Sequence, residues 1–282
     1  MTIYISTLQC HDKPGIVLET TTAIVALGGN ILENDQFTDP VTDHFVMRTR
    51  FVCDVDDVNA VQDLLFRHLE RFRPTLRVRR ESDRRRALVM VSKYDHCLAE
   101  LLYRHEQGDL ALDIPVIVSN HPDLAPLAAA HRIPFIHVPV SEGTKEAAEA
   151  TLRNLVAEHR VDVVVLARYM QVLSGRFCED FAGRVVNIHH SFLPGFKGAR
   201  PYHQAYNRGV KLIGATAHFV TPELDEGPII DQDVARVSHA RTADDFVALG
   251  RDIERTVLAR AMTLIAEDRV ALVGQRTVVF TQ

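Results

Sequence analysis

The sequence predicts an α/β protein in two parts, an N-terminal βαββαβ layer and a larger, mostly parallel sheet covered by helices. Early apolar stretches follow strand, helix, strand, strand, helix, strand periods in that order. Beyond residue 84, short β-rich runs alternate with helical patterns, which is the rhythm of a parallel sheet. A length of 282 residues suits two domains, each with its own core.

Residues 3–8 read as a strand, and Pro14, the apolar-periodic run 16–27 and the stop at Gly28-Gly29 read as a helix. Residues 30–37 and 45–52 form a hairpin across the turn formers Thr38, Asp39, Pro40 and Asp43. A helix over 55–71 follows acidic residues suited to its N-terminus. Leu76 and Val78 then alternate with Thr75, Arg77 and Arg79, a strand with one face in water. This order is ferredoxin-like.

Residues 67–86 carry nine arginines against three acids, +6 in a chain of net −5, which leaves −11 for the remainder. The strand period, and Phe72 as the nearby aromatic, favour a solvated face over a nucleic-acid patch. The polar run 81–86 reads as a linker, dividing the chain into domains 1–83 and 84–282.

In the second domain, residues 87–91, 114–118, 135–138, 161–166 and 184–188 read as buried strands of a Rossmann-like sheet. Helices over 96–105, 124–130 and 145–158 connect them, and 213–220 with 229–237 form a later antiparallel pair. A last helix opens with a Thr242–Asp245 capping box and carries the apolar stripe Phe246, Leu249, Ile253, Val257, Ala261 and Leu264.

Composition narrows the function. With 46% hydrophobic and 24% charged residues the chain is of globular type, and no apolar run approaches the roughly 18 residues of a membrane span. The opening residues lack a basic and then apolar leader, giving the expectation of a cytoplasmic protein with no membrane partner. Cys10, Cys53, Cys97 and Cys178 are scattered without a C-x-x-C pair, so reduced thiols are expected, with Cys97 buried and inert. The net negative charge points to small-molecule partners rather than nucleic acid.

Chemistry concentrates between residues 187 and 228. Asn187 and His189 lie at the carboxyl end of a parallel strand, where open α/β sheets gather ligands, and Asp225 sits in a Pro-bounded loop after the later strand that bears His218. An amide donor, an imidazole and a carboxylate suit attack on a carbonyl or formyl carbon: oxyanion stabilisation, proton shuttling and ordering of the imidazole or a water. His189, His190, His203 and His218 match no zinc spacing, and H-E-x-x-H is missing, so no metal is expected. Ser191 lacks a nucleophile elbow and reads as tying down its own loop. His190, His203 and His239 read as surface or core residues, and His218 as packing or support for the site.

The run Asn187-Ile188-His189-His190-Ser191-Phe192-Leu193-Pro194 with Gly198, followed by His218-Phe219-Val220, Leu224-Asp225 and Gly227-Pro228, resembles the signature of folate-dependent formyltransferases over residues 87–282. The resemblance implies 10-formyltetrahydrofolate as substrate, no tightly bound cofactor, and Asn187, His189 and Asp225 as catalytic residues. Residues 166–174 would line the pterin pocket, with Met170, Gln171, Val172, Leu173 and His218 binding substrate, while Lys197 and Arg200 read as solvated loop charges. No glycine occurs between residues 87 and 107, so the phosphate cradle of an amine-formylating member is missing after the first strand. That departure implies a hydrolytic member in which water takes the formyl group, releasing formate for purine synthesis and rebalancing folate pools; the alternative is transfer to an amine.

The first 80 residues, through Cys10-x-Asp12-Lys13-Pro14-Gly15-Ile16-Val17 and Gly28-Gly29-Asn30-Ile31, resemble an ACT domain. This implies an amino-acid effector held near Asp12, Gly15 and Asn30, and a homo-oligomer.

Overall fold

The protein is described from a computed structural model covering residues 1–141, 143–195 and 200–281. Its chain divides into one unit of residues 1–84 with the segment from Glu267 onward, and a second of residues 85–266.

In the first unit, β1 (Thr2–His11), α1 (Ile16–Ala26), β2 (Asn30–Asp39), β3 (His44–Cys53), α2 (Val58–Leu69) and β4 (Thr75–Arg80) follow the expected order. The sheet is antiparallel, ordered β2-β3-β1-β4, with Tyr4 opposite Phe51. Tyr4, Phe51 and Cys53 from the sheet pack with Ala23 and Ile24 of α1 and Val61 and Leu65 of α2. Asp57 caps α2, its carboxylate accepting from the backbone N–H groups of Asn59 and Ala60.

The other face of β3 is also covered. Val46 packs against Ala271, Val273 and Phe280 of a C-terminal hairpin (Val270–Val273 with Arg276–Val279). Arg48, 2% exposed, donates Nε to the Glu267 carbonyl and Nη1 to Glu33, each at 2.9 Å. Glu33 also takes Arg269 at 3.0 Å, and Asp39 takes Arg276. The segment from Glu267 therefore belongs with the first unit, whereas the sequence pattern assigns it to the second. The cause is that β3 buries both faces, and a strand so buried must be clothed twice.

In the second unit, β5 (Arg85–Val91), β6 (Leu112–Ser119), β7 (Phe135–His137), β8 (Val163–Leu166) and β9 (Val185–His189) run parallel. Between them lie α3 (His96–Gln107), α4 (Ala125–Ala130), α5 (Lys145–Glu158) and α6 (Gly175–Asp180). Then come α7 (Pro201–Arg208), the antiparallel β10 (Leu212–Phe219) and β11 (Ile229–Arg236), and α8 (Ala243–Ala266). The sheet order is β11-β10-β9-β8-β5-β6-β7, so the winding reverses between β5 and β8. Leu88, Met90, Val116, Val118, Val164 and Leu166 centre the core.

Two short helices, α6 and α7, have no counterpart among the elements expected from periodicity. α6 is capped by the Ser174 hydroxyl, which accepts from Phe177 N at 3.1 Å, and α7 is framed by Pro201 and a left-handed Gly209. The α8 capping box is present, with Thr242 N to Asp245 at 2.8 Å and Asp245 N to the Thr242 hydroxyl at 3.2 Å. Its buried face holds Phe246, Ile253, Val257 and Ala261 of the expected stripe and is wider than it: Leu249 and Leu264 are half-buried, while Gly250 and Glu254 also face inward. The hairpin's role is checked by Phe280→Ala, which should cost the first unit about 3 kcal/mol and speed amide hydrogen exchange in β3.

Candidate active site

Asn187 and His189 are alternate residues of β9, so they leave the same face of the strand. β10 pairs antiparallel beside them, with His218 opposite Asn187 and Thr216 opposite His189. Asp225 comes from the loop after β10 and holds a left-handed φ of 58°. That loop can close back onto β10 because residue 227 is glycine. A Cβ there would lie 1.7 Å from the Phe219 carbonyl oxygen.

These elements bring the side chains together. His189 Nδ1 lies 3.2 Å from Asp225 Oδ1, and His218 Nε2 lies 3.7 Å from the same oxygen. Asn187 Nδ2 is 3.2 Å from His218 Nε2, and His218 Nδ1 donates to the Phe219 carbonyl at 2.8 Å. A carbonyl can only accept, so neutral His218 carries its proton on Nδ1 and receives the Asn187 amide at Nε2. His189 donates Nδ1–H to Asp225, which puts its basic lone pair on Nε2. Burial pushes the Asp225 carboxyl up, but the Nδ1–H hydrogen bond from His189, and the charge of either ring once it is protonated, outweigh it and hold the group well below the usual carboxylate range.

The three sit in a cleft of about 270 Å³ also lined by Met170, Gln171, Val172, Leu173, His218 and Leu224. Every residue expected to bind substrate thus borders it. The segment bearing Met170 is pinned at both ends. Met170 N donates to the Ser92 hydroxyl at 3.0 Å, itself bonded to Asn120, and Ser174 N donates to the buried Glu149 at 2.7 Å. Exposed Met170 and Val172 give this wall an apolar lining suited to a flat aromatic group.

Other expectations need correction. The loop after β9 is tied down by Thr216 rather than by the Ser191 hydroxyl: Thr216 Oγ1 donates to the Ser191 carbonyl and accepts from Leu193 N and Gln232 Nε2, all within 3.0 Å. Lys197 and Gly198 lie outside the described residues, and Arg200 is exposed at the start of α7. In the first unit, Gly15 precedes α1 with φ 103° and Asp12 accepts from Thr38 at 3.2 Å. Asn30 pairs with Val52, which pairs with Ile3, at the opposite end of the sheet. At roughly 3.3 Å per residue, one chain leaves Asn30 some 30 Å from Asp12.

His190 is more than a packing residue. It lines the cleft, its ring 5.2 Å from that of His189 and 6.2 Å from Tyr202. Burial, then the nearby Arg168 charge, push its pKa down to about 3. Sequence reasoning also misses Glu254, 1% exposed on α8, which engages His96, Arg168 and Tyr202. Its signal is an acid four residues after Gly250, on a helix face turned to the core. His96, Cys97 and Glu254 offer ligand atoms within 4.8 Å of one another, but the Arg168 guanidinium, 3.3 Å from the Glu254 carboxylate, puts positive charge where a cation would sit. Burial pushes the Cys97 thiol well up, so it is inert as a nucleophile.

Because the folded pKa of His190 lies below the usual histidine value of about 6.5, protonation opposes folding as pH falls through the window between them. Its imidazole resonances are expected not to titrate between about pH 8 and pH 5, which two-dimensional NMR of labelled histidine will check.

Residues 85–262 match the family model of formyl transferases. The chain is 44% identical to a formyltetrahydrofolate deformylase of Mycobacterium bovis over 97% of its own length and 89% of the relative's. It superposes on the crystal structure of a formyltetrahydrofolate deformylase from Burkholderia mallei with a TM-score of 0.95, at 46% identity and covering 100% of both chains. A glycinamide ribonucleotide transformylase from Symbiobacterium toebii matches 70% of the chain and 94% of its own, with a TM-score of 0.65 at 30% identity. The catalytic unit therefore has the formyltransferase fold, and the chain as a whole belongs to the formyltetrahydrofolate deformylase family.

Proposed function

We propose that this protein hydrolyses 10-formyltetrahydrofolate to formate and tetrahydrofolate, using Asn187, His189 and Asp225. The observation that carries the residue roles is the His189–Asp225 pair at 3.2 Å, with Asn187 aligned beside it by His218. Family membership supports the substrate and the water acceptor.

The pterin enters the apolar cleft beside Met170 to Leu173, bringing the formyl carbon near His189. A water held by His189 and Asp225 attacks that carbon, and Nε2 of His189 takes its proton. The imidazolium so formed is stabilised by Asp225, which stays ionised. The oxyanion receives hydrogen bonds from the remaining Asn187 amide N–H and from the imidazolium. As the C–N10 bond breaks, His189 returns the proton to N10. The formic acid so released gives its remaining proton to solvent and leaves as formate. No step draws on a tightly bound cofactor.

The βαββαβ order of the first unit supports an ACT-like role, and its two edge strands, β2 and β4, suit pairing into a homo-oligomer. An amino-acid effector would then rest on Asp12 and Gly15, or draw Asn30 from another copy. Four free cysteines support a reducing, cytoplasmic setting, and no helix among the described residues is long and apolar enough to cross a membrane. In the cell the released formate would feed purine synthesis and rebalance the one-carbon folate pool.

Replacing Asn187 by alanine should lower formate release from 10-formyltetrahydrofolate by on the order of 10² to 10³. His189→Ala and Asp225→Ala should fall at least as far while calorimetry still detects folate binding; near-normal turnover in all three variants would overturn the assignment.

A further inference from the structure

A second polar cluster lies at the carboxyl edge of the parallel sheet, apart from the groups that handle the formyl carbon. The winding reverses between β5 and β8, and the crevice outside such a switch point is where open α/β sheets seat ligands. In this protein side chains fill it. Arg168, two residues beyond β8, adopts a left-handed φ of 65°. Its side chain is 10% exposed, with Nε 3.3 Å from Glu254 Oε2. The same oxygen meets His96 Nε2 at 2.9 Å, from the start of α3 just after β5, and Tyr202 of α7 donates its hydroxyl to Oε1 at 2.8 Å. Four elements thus converge on one carboxylate. Tyr202 is pressed so closely on α8 that a Cβ at Gly250 would lie 2.1 Å from its ring.

Such a cluster is a poor way to gain stability. A non-glycine residue in the left-handed region is strained, and a buried ion pair seldom outperforms apolar packing of the same volume. Its position offers a better reason. Arg168 lines the cleft that holds His189, and the His190 ring bridges from His189 to Tyr202. The turn leading into α3 has no glycine that would let a second substrate approach the backbone.

We propose that Arg168, Glu254, His96 and Tyr202 form a specificity wall that reserves the formyl carbon for water by occupying the place of a second, amine-bearing substrate. This rests on the hydrolytic reading above. The trio itself serves either nucleophile: with an amine, its nitrogen bonds to the formyl carbon, the C–N10 bond breaks and an amine proton passes to N10. Only room for the amine is missing. Removing Arg168 opens the crevice and turns the Glu254 carboxylate toward it, as a partner for the N–H groups of an incoming amine.

The test incubates 10-formyltetrahydrofolate and glycinamide with the wild type, with Arg168→Gly, and with Arg168→Gly/Glu254→Gln, and quantifies formate and N-formylglycinamide by mass spectrometry. Glycine accepts the left-handed backbone without strain, and the double variant leaves no buried charge unpaired. The wild type should yield formate, and at least one variant should raise the N-formylglycinamide share about tenfold or more. An active wild type with folded variants that still yield only formate overturns the wall alone. Failure of both variants to fold makes the cluster a determinant of folding and overturns it too. A wild type that releases no formate overturns the hydrolytic reading, and the wall with it.

Discussion

The site depends on one carboxylate held between two imidazoles. Asp225 is partly buried, and burial raises its pKa; the hydrogen bond from His189, and the charge of either imidazole once it is protonated, outweigh that rise. The ionised carboxylate then decides which ring nitrogen of His189 carries the proton, while the Phe219 carbonyl decides the same for His218. Through His218 the arrangement reaches Asn187, whose amide is oriented by the histidine across the β9–β10 ladder. The proposed base, its counter-charge and the proposed oxyanion donor are therefore all set by backbone register.

That register is itself a product of packing. Thr216, opposite His189, uses its hydroxyl to donate once and accept twice, fixing the loop beyond β9. Ser92, just after β5, and Glu149 of α5 fix the Met170 wall of the cleft. The groups proposed to meet substrate are few, and many buried polar groups hold them in place. The Arg168–Glu254 cluster belongs to the same pattern, since its cost in strain and desolvation is borne beside the reacting centre rather than deep in the core.

The trio is legible because its members fall within forty residues and their chemistry is read from type and spacing. The alternating strands are legible because periodicity reports burial on one or both faces. The C-terminal hairpin is not: the Arg48–Glu267 bond joins residues 219 apart in sequence, and no local pattern encodes such a partner. The task expected of Ser191 is done by Thr216, since a motif identifies a loop without saying what pins it. Asp12, Gly15 and Asn30 share helix-start and helix-stop signals, yet α1 and the strands separate them to opposite ends of the sheet. Glu254 is hidden because the buried face of α8 is wider than its apolar stripe and takes in the position after Ile253.

The most direct measurement is nitrogen-15 NMR of the histidine rings in the free enzyme, at a pH where they are neutral. If Asp225 sets the proton positions, His189 and His218 both appear as Nδ1–H tautomers, and Asp225→Asn abolishes the preference at His189 alone. A wild-type His189 carrying its proton on Nε2 would contradict the catalytic roles assigned to His189 and Asp225.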